Sequence, residues 1–125
     1  MLVARISEIA GNVFPAGRHT RVIVGEKAPI TAKGFCMGQV TIFPGGQVPA
    51  HEHVQEEVYY VTSGAGEIEI AGETRAIREG EAVYVPSGSV HNLRNTGAAD
   101  MTFIFVYSPA GVVDHWKQEM EGKLT

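Results

Sequence analysis

GGQVPAHEHVQEEVYYVTSG, residues 45–64, decides the fold, because its polar side chains keep a strict spacing inside an otherwise strand-like run. His51 and His53 are two positions apart, and Glu57 is four further on. In extended backbone, positions i, i+2 and i+6 share a face, so two imidazoles and a carboxylate are expected on one wall. Glu52 and Glu56 have the opposite parity and are expected to face away. Further along, GEAVYVPSGSVHNLRN, residues 80–95, brings His91 as a third imidazole. Three imidazoles and one carboxylate form a donor set that can hold a divalent transition metal and leave coordination positions open. The alternative is a set of exposed strand residues or satisfied core histidines. It requires four unrelated polar groups to fall at this spacing, and burying such a cluster unpaired would be costly.

Around these stretches the chain is punctuated by fifteen glycines and six prolines between short β-rich segments, the pattern of an all-β sandwich or barrel. Strands are expected at 2–6, 20–24, 34–43, 47–51, 57–62, 66–70, 73–77, 82–85, 90–95 and 101–107. Pro44-Gly45-Gly46, Ser63-Gly64, Ala71-Gly72, Glu79-Gly80 and Pro86-Ser87-Gly88 supply the turns. Glu67-Ile68-Glu69-Ile70 alternates, so one of its faces is wet and the other dry. Residues 101–107 are almost continuously apolar, as a buried strand would be. One short helix is expected near the C-terminus, capped by Ser108 with Pro109 at its first position, or starting at about Val112 because Gly111 weakens the first turn. Val112, Val113, Trp116 and Met120 would form its apolar stripe, with Lys117, Glu119 and Glu121 outside it.

At 125 residues and 13.4 kDa, the chain reads as a single domain, 1–125, long enough to bury a core. Its net charge of -4, with both signs interspersed and no basic run, argues against nucleic acid or an anionic membrane as partner. The one cysteine, Cys36, has no intramolecular disulfide partner and lies in an apolar run, where it reads as a small core residue rather than a nucleophile. No signal-peptide or membrane-spanning run is present, so a soluble cytoplasmic protein is the expectation.

Taken with their turn residues, the two stretches read Gly45-x5-His51-x-His53-x3-Glu57-x6-Gly64 and Gly80-x5-Pro86-x-Gly88-x2-His91-x3-Asn95. This double pattern resembles the two consensus motifs of the cupin superfamily at every defined position. The 15 residues between Gly64 and Gly80 resemble the short intermotif loop of single-domain bacterial cupins. The resemblance implies a cupin jelly-roll β-barrel with a metal at its mouth and a short C-terminal helix. Carried over position by position, His51, His53, Glu57 and His91 become the metal ligands, while Gly64, Gly80, Pro86, Gly88 and Asn95 become turn and strand-end residues. The implied cofactor is one divalent transition metal. Manganese or iron is favoured by octahedral preference, and nickel, cobalt, zinc and copper remain open. The family also implies a homodimer in which N-terminal strands pair across subunits, and a strand at 2–6 would otherwise leave an open edge.

A metal with open positions can bind a bidentate carboxylate, activate dioxygen or polarise a carbonyl, so the surrounding residues decide the reaction. Residues 14–21 and 112–116 look similar to small bacterial cupins described as oxalate decarboxylase-like. In bicupin oxalate decarboxylases an arginine stands three positions before the first motif histidine, and in germin oxalate oxidases an asparagine stands there. This chain has Val48. The proton-donating glutamate of the decarboxylases also has no counterpart in residues 108–113, where Asp114 is the nearest acid. Glu57 and Tyr59 are the candidate catalytic residues; Tyr59 is equally well read as a wall residue. Arg18, Arg21 and Gln55 are the candidate substrate contacts. Gln55 reads first as an exposed loop residue, and the Arg18, His19, Arg21 cluster as a solvated turn or dimer contact. His115 and Arg94 read as surface residues. The expected function is a metal-dependent enzyme acting on a small carboxylate, as decarboxylase, oxidase or dioxygenase. The alternatives are an isomerase or lyase on a sugar or keto acid, and a non-catalytic cupin that binds a small ligand.

Overall fold

The structure is a computed structural model that describes residues 1–111 and 115–124, at His115 the backbone alone. Its strands are β1 (Asn12–Phe14), β2 (Arg18–Gly25), β3 (Ile30–Thr31), β4 (Cys36–Ile42), β5 (Gln47–His51), β6 (Glu56–Ser63), β7 (Ala65–Ile70), β8 (Glu73–Arg78), β9 (Ala82–Val85), β10 (His91–Arg94) and β11 (Met101–Ser108). A helix, α1 (His115–Met120), follows them. The larger sheet runs β1-β2-β4-β11-β6-β9, with β3 added parallel to β2, and the smaller runs β5-β10-β7-β8. Every other pairing is antiparallel.

The period-2 patterns of the sequence explain how the sheets close on one another. Alternate residues of β4, β6 and β11 are buried: Val40 and Ile42, Tyr59 and Val61, Phe103 and Phe105. Val48, Ile68 and Leu93 meet them from the smaller sheet, so both inner faces share one apolar core. Cys36 lies in this core, 4% exposed. At the turn after β6, Gly64 requires glycine. Its φ is +82°, and a Cβ there would stand 2.7 Å from the Asp100 carbonyl oxygen. Asn95 ties the end of β10 into the barrel. Its side-chain amide donates to the Ile42 and Ala99 carbonyls, each at 2.8 Å, and its Oδ1 accepts from the Gly97 amide.

Three expectations change. No strand forms at 2–6. The backbone instead makes a 3-10 turn at Ile6–Glu8, closed by the Glu8 and Ile9 amides donating to the Arg5 and Ile6 carbonyls, and Leu2 and Val3 are exposed. The open-edge argument for a dimer therefore falls away. Strands β1 and β3, too short for a clear alternation, were not expected. The helix also starts later. Ser108 is the last residue of β11, opposite Glu56 of β6, and its hydroxyl donates to the Gly34 carbonyl rather than capping a helix. Within α1, Met120 is exposed and Glu119 is fully buried, the reverse of the expected stripe. Val112, Val113, Asp114 and the side chain of His115 lie outside the described residues.

Candidate metal centre

His51, His53, Glu57 and His91 come together, but not along one extended strand. His51 ends β5 in the smaller sheet, and Glu57 lies in β6 of the larger one. Residues 52–55 form the crossover between them, with His53 on it. Parity therefore fails across the turn, and convergence of the two sheets takes its place. His91, opening β10, pairs directly with His51. One donor atom from each of the four side chains lies within 4.8 Å of all the others. The His51 and His91 ring centroids are 4.0 Å apart, and those of His53 and His91 are 5.0 Å apart.

Each imidazole is steered from behind by a backbone carbonyl two residues away. His51 Nδ1 bonds Pro49 O at 2.6 Å, His53 Nδ1 bonds Gln55 O at 2.9 Å, and His91 Nδ1 bonds Ser89 O at 2.8 Å. A carbonyl only accepts, so the ring nitrogen at each contact carries the proton, and Nε2 is the atom aimed inward. The turn at 86–89 serves both stretches. The Gly88 amide donates to the His53 carbonyl at 2.8 Å, and Ser89 orients His91.

The electrostatics of the cluster suit a cation. Burial, reinforced by His91, pushes His51 down to about 3, so its ring is neutral. Burial is the largest influence on His53 and works against its charged form, but the Glu57 hydrogen bond at 3.2 Å, the Glu57 charge and the Gln55 carbonyl together outweigh it and raise the pKa. For Glu57, burial favours the neutral acid, and the facing His53 and His91 imidazoles reverse that, holding the carboxyl below its ordinary value. His91 Nε2 is fully buried and makes no hydrogen bond, although Glu57 Oε1 stands 3.3 Å away. A buried imidazole nitrogen aimed at two more imidazoles and a carboxylate is costly unless something accepts its lone pair. The residues fit a divalent transition metal on that ground and on their donor chemistry.

The cluster opens into a small cavity, about 20 Å³, room for roughly one water-sized species. Tyr59, Phe103, Phe105, Tyr107 and Trp116 give it a largely aromatic wall, and Val48 stands where the resemblance points to an arginine or asparagine. Burial raises the Tyr59 hydroxyl well above the ordinary phenol range, with the Glu57 charge adding to it. Tyr107 is also raised by burial, and its hydroxyl donates to the Gly111 carbonyl.

The other expected contacts divide. Arg18 lines the cavity and is 2% exposed. Its fork is already met by Glu119, with Nε to Oε1 at 3.0 Å and Nη2 to Oε2 at 2.5 Å, and Nη1 donates to Thr20 Oγ1. Arg21 and His19 alternate to the other face of β2. There Arg21 Nε bonds the Ile9 carbonyl and His19 Nε2 bonds the Ala10 carbonyl, so neither reaches the cavity. Gln55 is buried rather than exposed, but its side chain lies beside Gly111 and not on the cavity wall. Glu52 and Glu56 face outward as expected, Glu56 accepting from the Tyr84 hydroxyl, and Arg94 is paired with Glu67 at the surface. Glu119 was missed. Its position three residues after Trp116 placed it on the inward side of α1, and a charge on an apolar stripe was the available signal.

Known proteins agree with this geometry. The chain is 36% identical over 75 residues to an oxalate-binding protein of Thermotoga maritima, spanning 59% of this chain and 62% of that one. It is 32% identical over 81 residues to a 5-nitrosalicylic acid 1,2-dioxygenase of Bradyrhizobium, 65% of this chain but only 39% of that protein. Among solved structures, one described as a predicted oxalate decarboxylase from Thermotoga maritima superposes with a TM-score of 0.77 at 25% identity, covering 86% of this chain and 98% of that one. The cupin domain model matches residues 38–107, which hold all four clustered side chains and both sets of turn residues, and the chain belongs to the cupin family.

Proposed function

We propose that His51, His53, Glu57 and His91 hold one divalent transition metal, manganese or iron in first place, and that the protein acts on a small carboxylate at that centre. The observation that carries this reading is the set of three carbonyl-steered imidazoles aimed, with Glu57, at one point inside the barrel. A bound metal would supply Lewis acidity and open positions for a bidentate oxygen ligand. The chain's own residues do the rest. Pro49, Gln55 and Ser89 fix the imidazole orientations, Glu57 provides the negative charge, and the aromatic wall keeps bulk water out. The narrow cavity favours a substrate of a few heavy atoms. The similarity to an oxalate-binding protein, to a predicted oxalate decarboxylase and to a 5-nitrosalicylic acid 1,2-dioxygenase supports the carboxylate class.

A binding-only cupin is the second reading, and one observation favours it. Among the described wall residues, Arg18 is matched by Glu119, and both tyrosine hydroxyls are held above their ordinary pKa. Proton transfer would then fall to Glu57 or to groups that the substrate brings. Metal content decides first: the purified protein should carry near-stoichiometric transition metal, and His53→Ala and His91→Ala should lose most of it. Full metal in both variants sinks the centre. Oxalate, other small diacids, a β-diketone and a keto sugar are then screened with and without oxygen. Turnover that depends on Glu57 supports an enzyme, and binding without turnover supports the module.

The same reading includes a homodimer. Val58, Tyr60 and Tyr84 lie exposed on the outer face of the larger sheet, Val58 directly opposite Tyr84, an apolar face suited to a second copy. A monomeric mass at micromolar concentration would count against it.

A further inference from the structure

Arg18 is the one lysine or arginine among the described residues that line the metal cavity. Phe14 covers the face of its guanidinium at 3.9 Å, Thr20 meets one edge, and the Glu119 carboxylate fills the fork in the two-point geometry that guanidinium and carboxylate prefer. Glu119 comes from 101 residues away, on a six-residue helix. A helix of that length has little stability of its own, so its docking rests on what its inward residues touch. Among the described residues these are Glu119 and Trp116, the latter edge-on to Phe14 and Phe105.

A guanidinium this deeply buried must always have an anion, because leaving it unpaired is far more costly than the pair itself is worth. A carboxylate entering the cavity offers the same two oxygens as Glu119. We propose that Arg18, with Thr20, is a carboxylate seat on the wall of the metal cavity, that Glu119 is its resident occupant, and that a small dicarboxylate reaching from the cluster to the wall takes Glu119's place. The bridging part rests on the metal reading above; the seat and its exchange do not. Exchange conserves charge at Arg18, since one carboxylate replaces another. It releases α1 from its polar anchor, so ligand entry and helix undocking are one event. It also gives the chain a cation for substrate despite Val48, from a strand that the family motifs do not include.

The first test uses the metal-free protein. Glu119→Ala removes the resident carboxylate and leaves a space of about acetate size. Acetate should then raise the unfolding temperature of this variant saturably, by about 4 °C or more, over chloride at equal ionic strength. Wild type and the Arg18→Gln/Glu119→Ala double variant should show no such rise. An equal response to acetate and chloride overturns the seat. If Glu119→Ala does not fold alone, acetate added during refolding should restore it and chloride should not, and equal recovery in both salts overturns the seat. The second test uses metal-loaded wild type with oxalate, malonate and succinate in turn. A diacid that binds should accelerate amide exchange in residues 115–120 at least tenfold. Binding by all of them without acceleration, or binding by none to wild type or Glu119→Gln, overturns the exchange. Failure of the metal reading looks different: no metal uptake, with the acetate response of the variant intact.

Discussion

On one side of the cavity, three imidazoles are each aimed by a carbonyl two residues away; on the other, one guanidinium is met by a carboxylate 101 residues distant. The first arrangement is local in sequence. Its geometry is set by turns whose residues can be recognised at fixed intervals, and its Nε2 atoms are left facing inward. The second is closed and self-satisfied, with both partners fully used and no sequence spacing to announce them. The comparison teaches that a site built to receive something keeps unsatisfied atoms pointed at its centre, as His91 Nε2 is here, whereas a site already holding its partner hides its purpose.

The sharpest way to break the comparison is at the receiving side. His91→Ala removes a donor that no neighbour can replace, and metal content should fall from near-stoichiometric to trace by elemental analysis. Unchanged content would make the orphaned nitrogen a packing accident. On the closed side, Glu119→Leu strands a buried guanidinium and should cost about 3–5 kcal/mol in chemical denaturation. The double variant Arg18→Met/Glu119→Leu should recover most of that loss, since a buried ion pair is worth little over an apolar pair of similar volume. A double variant as unstable as the single one would show that the pair holds the barrel for some reason other than charge. Asn95→Ala cuts a local motif residue away from the Ile42 and Ala99 carbonyls and should cost about 1–3 kcal/mol without altering metal content. Arg75→Ala breaks an exposed pair with Glu81 and should change stability by no more than about 0.5 kcal/mol.

Much of this was legible because the barrel writes itself in short range. Strand β11 alternates buried and half-buried residues along 101–107, and β5 and β9 have the expected limits, since period-2 patterns and glycine turns are local signals. The four clustered side chains were legible for the same reason, although the route was wrong. His51 and Glu57 share a wall because two sheets meet, not because one strand carries both. What stayed hidden depended on distant partners. Gln55 is buried under the loop at Gly111, Arg21 is spent on the Ile9 carbonyl, and Glu119 is drawn inward by an arginine near the other end of the chain. At 2–6, apolar content alone suggested a strand, but a strand needs an edge to join, and the chain turns at Ile6–Glu8 instead.

The crossover at 52–55 has a consequence for how the chain reaches its native state. Because His51 belongs to the smaller sheet and Glu57 to the larger, neither sheet alone can assemble the donor set. His91 adds a partner forty positions downstream, and β11 must already lie between β4 and β6 for the larger sheet to exist. Such non-local pairings are slow to form, so the centre matures near the end of folding, after most loop-closure entropy has been spent. Metal capture would then act as a late ratchet: it would bind the finished barrel, slow its opening and leave the rate of reaching it almost unchanged.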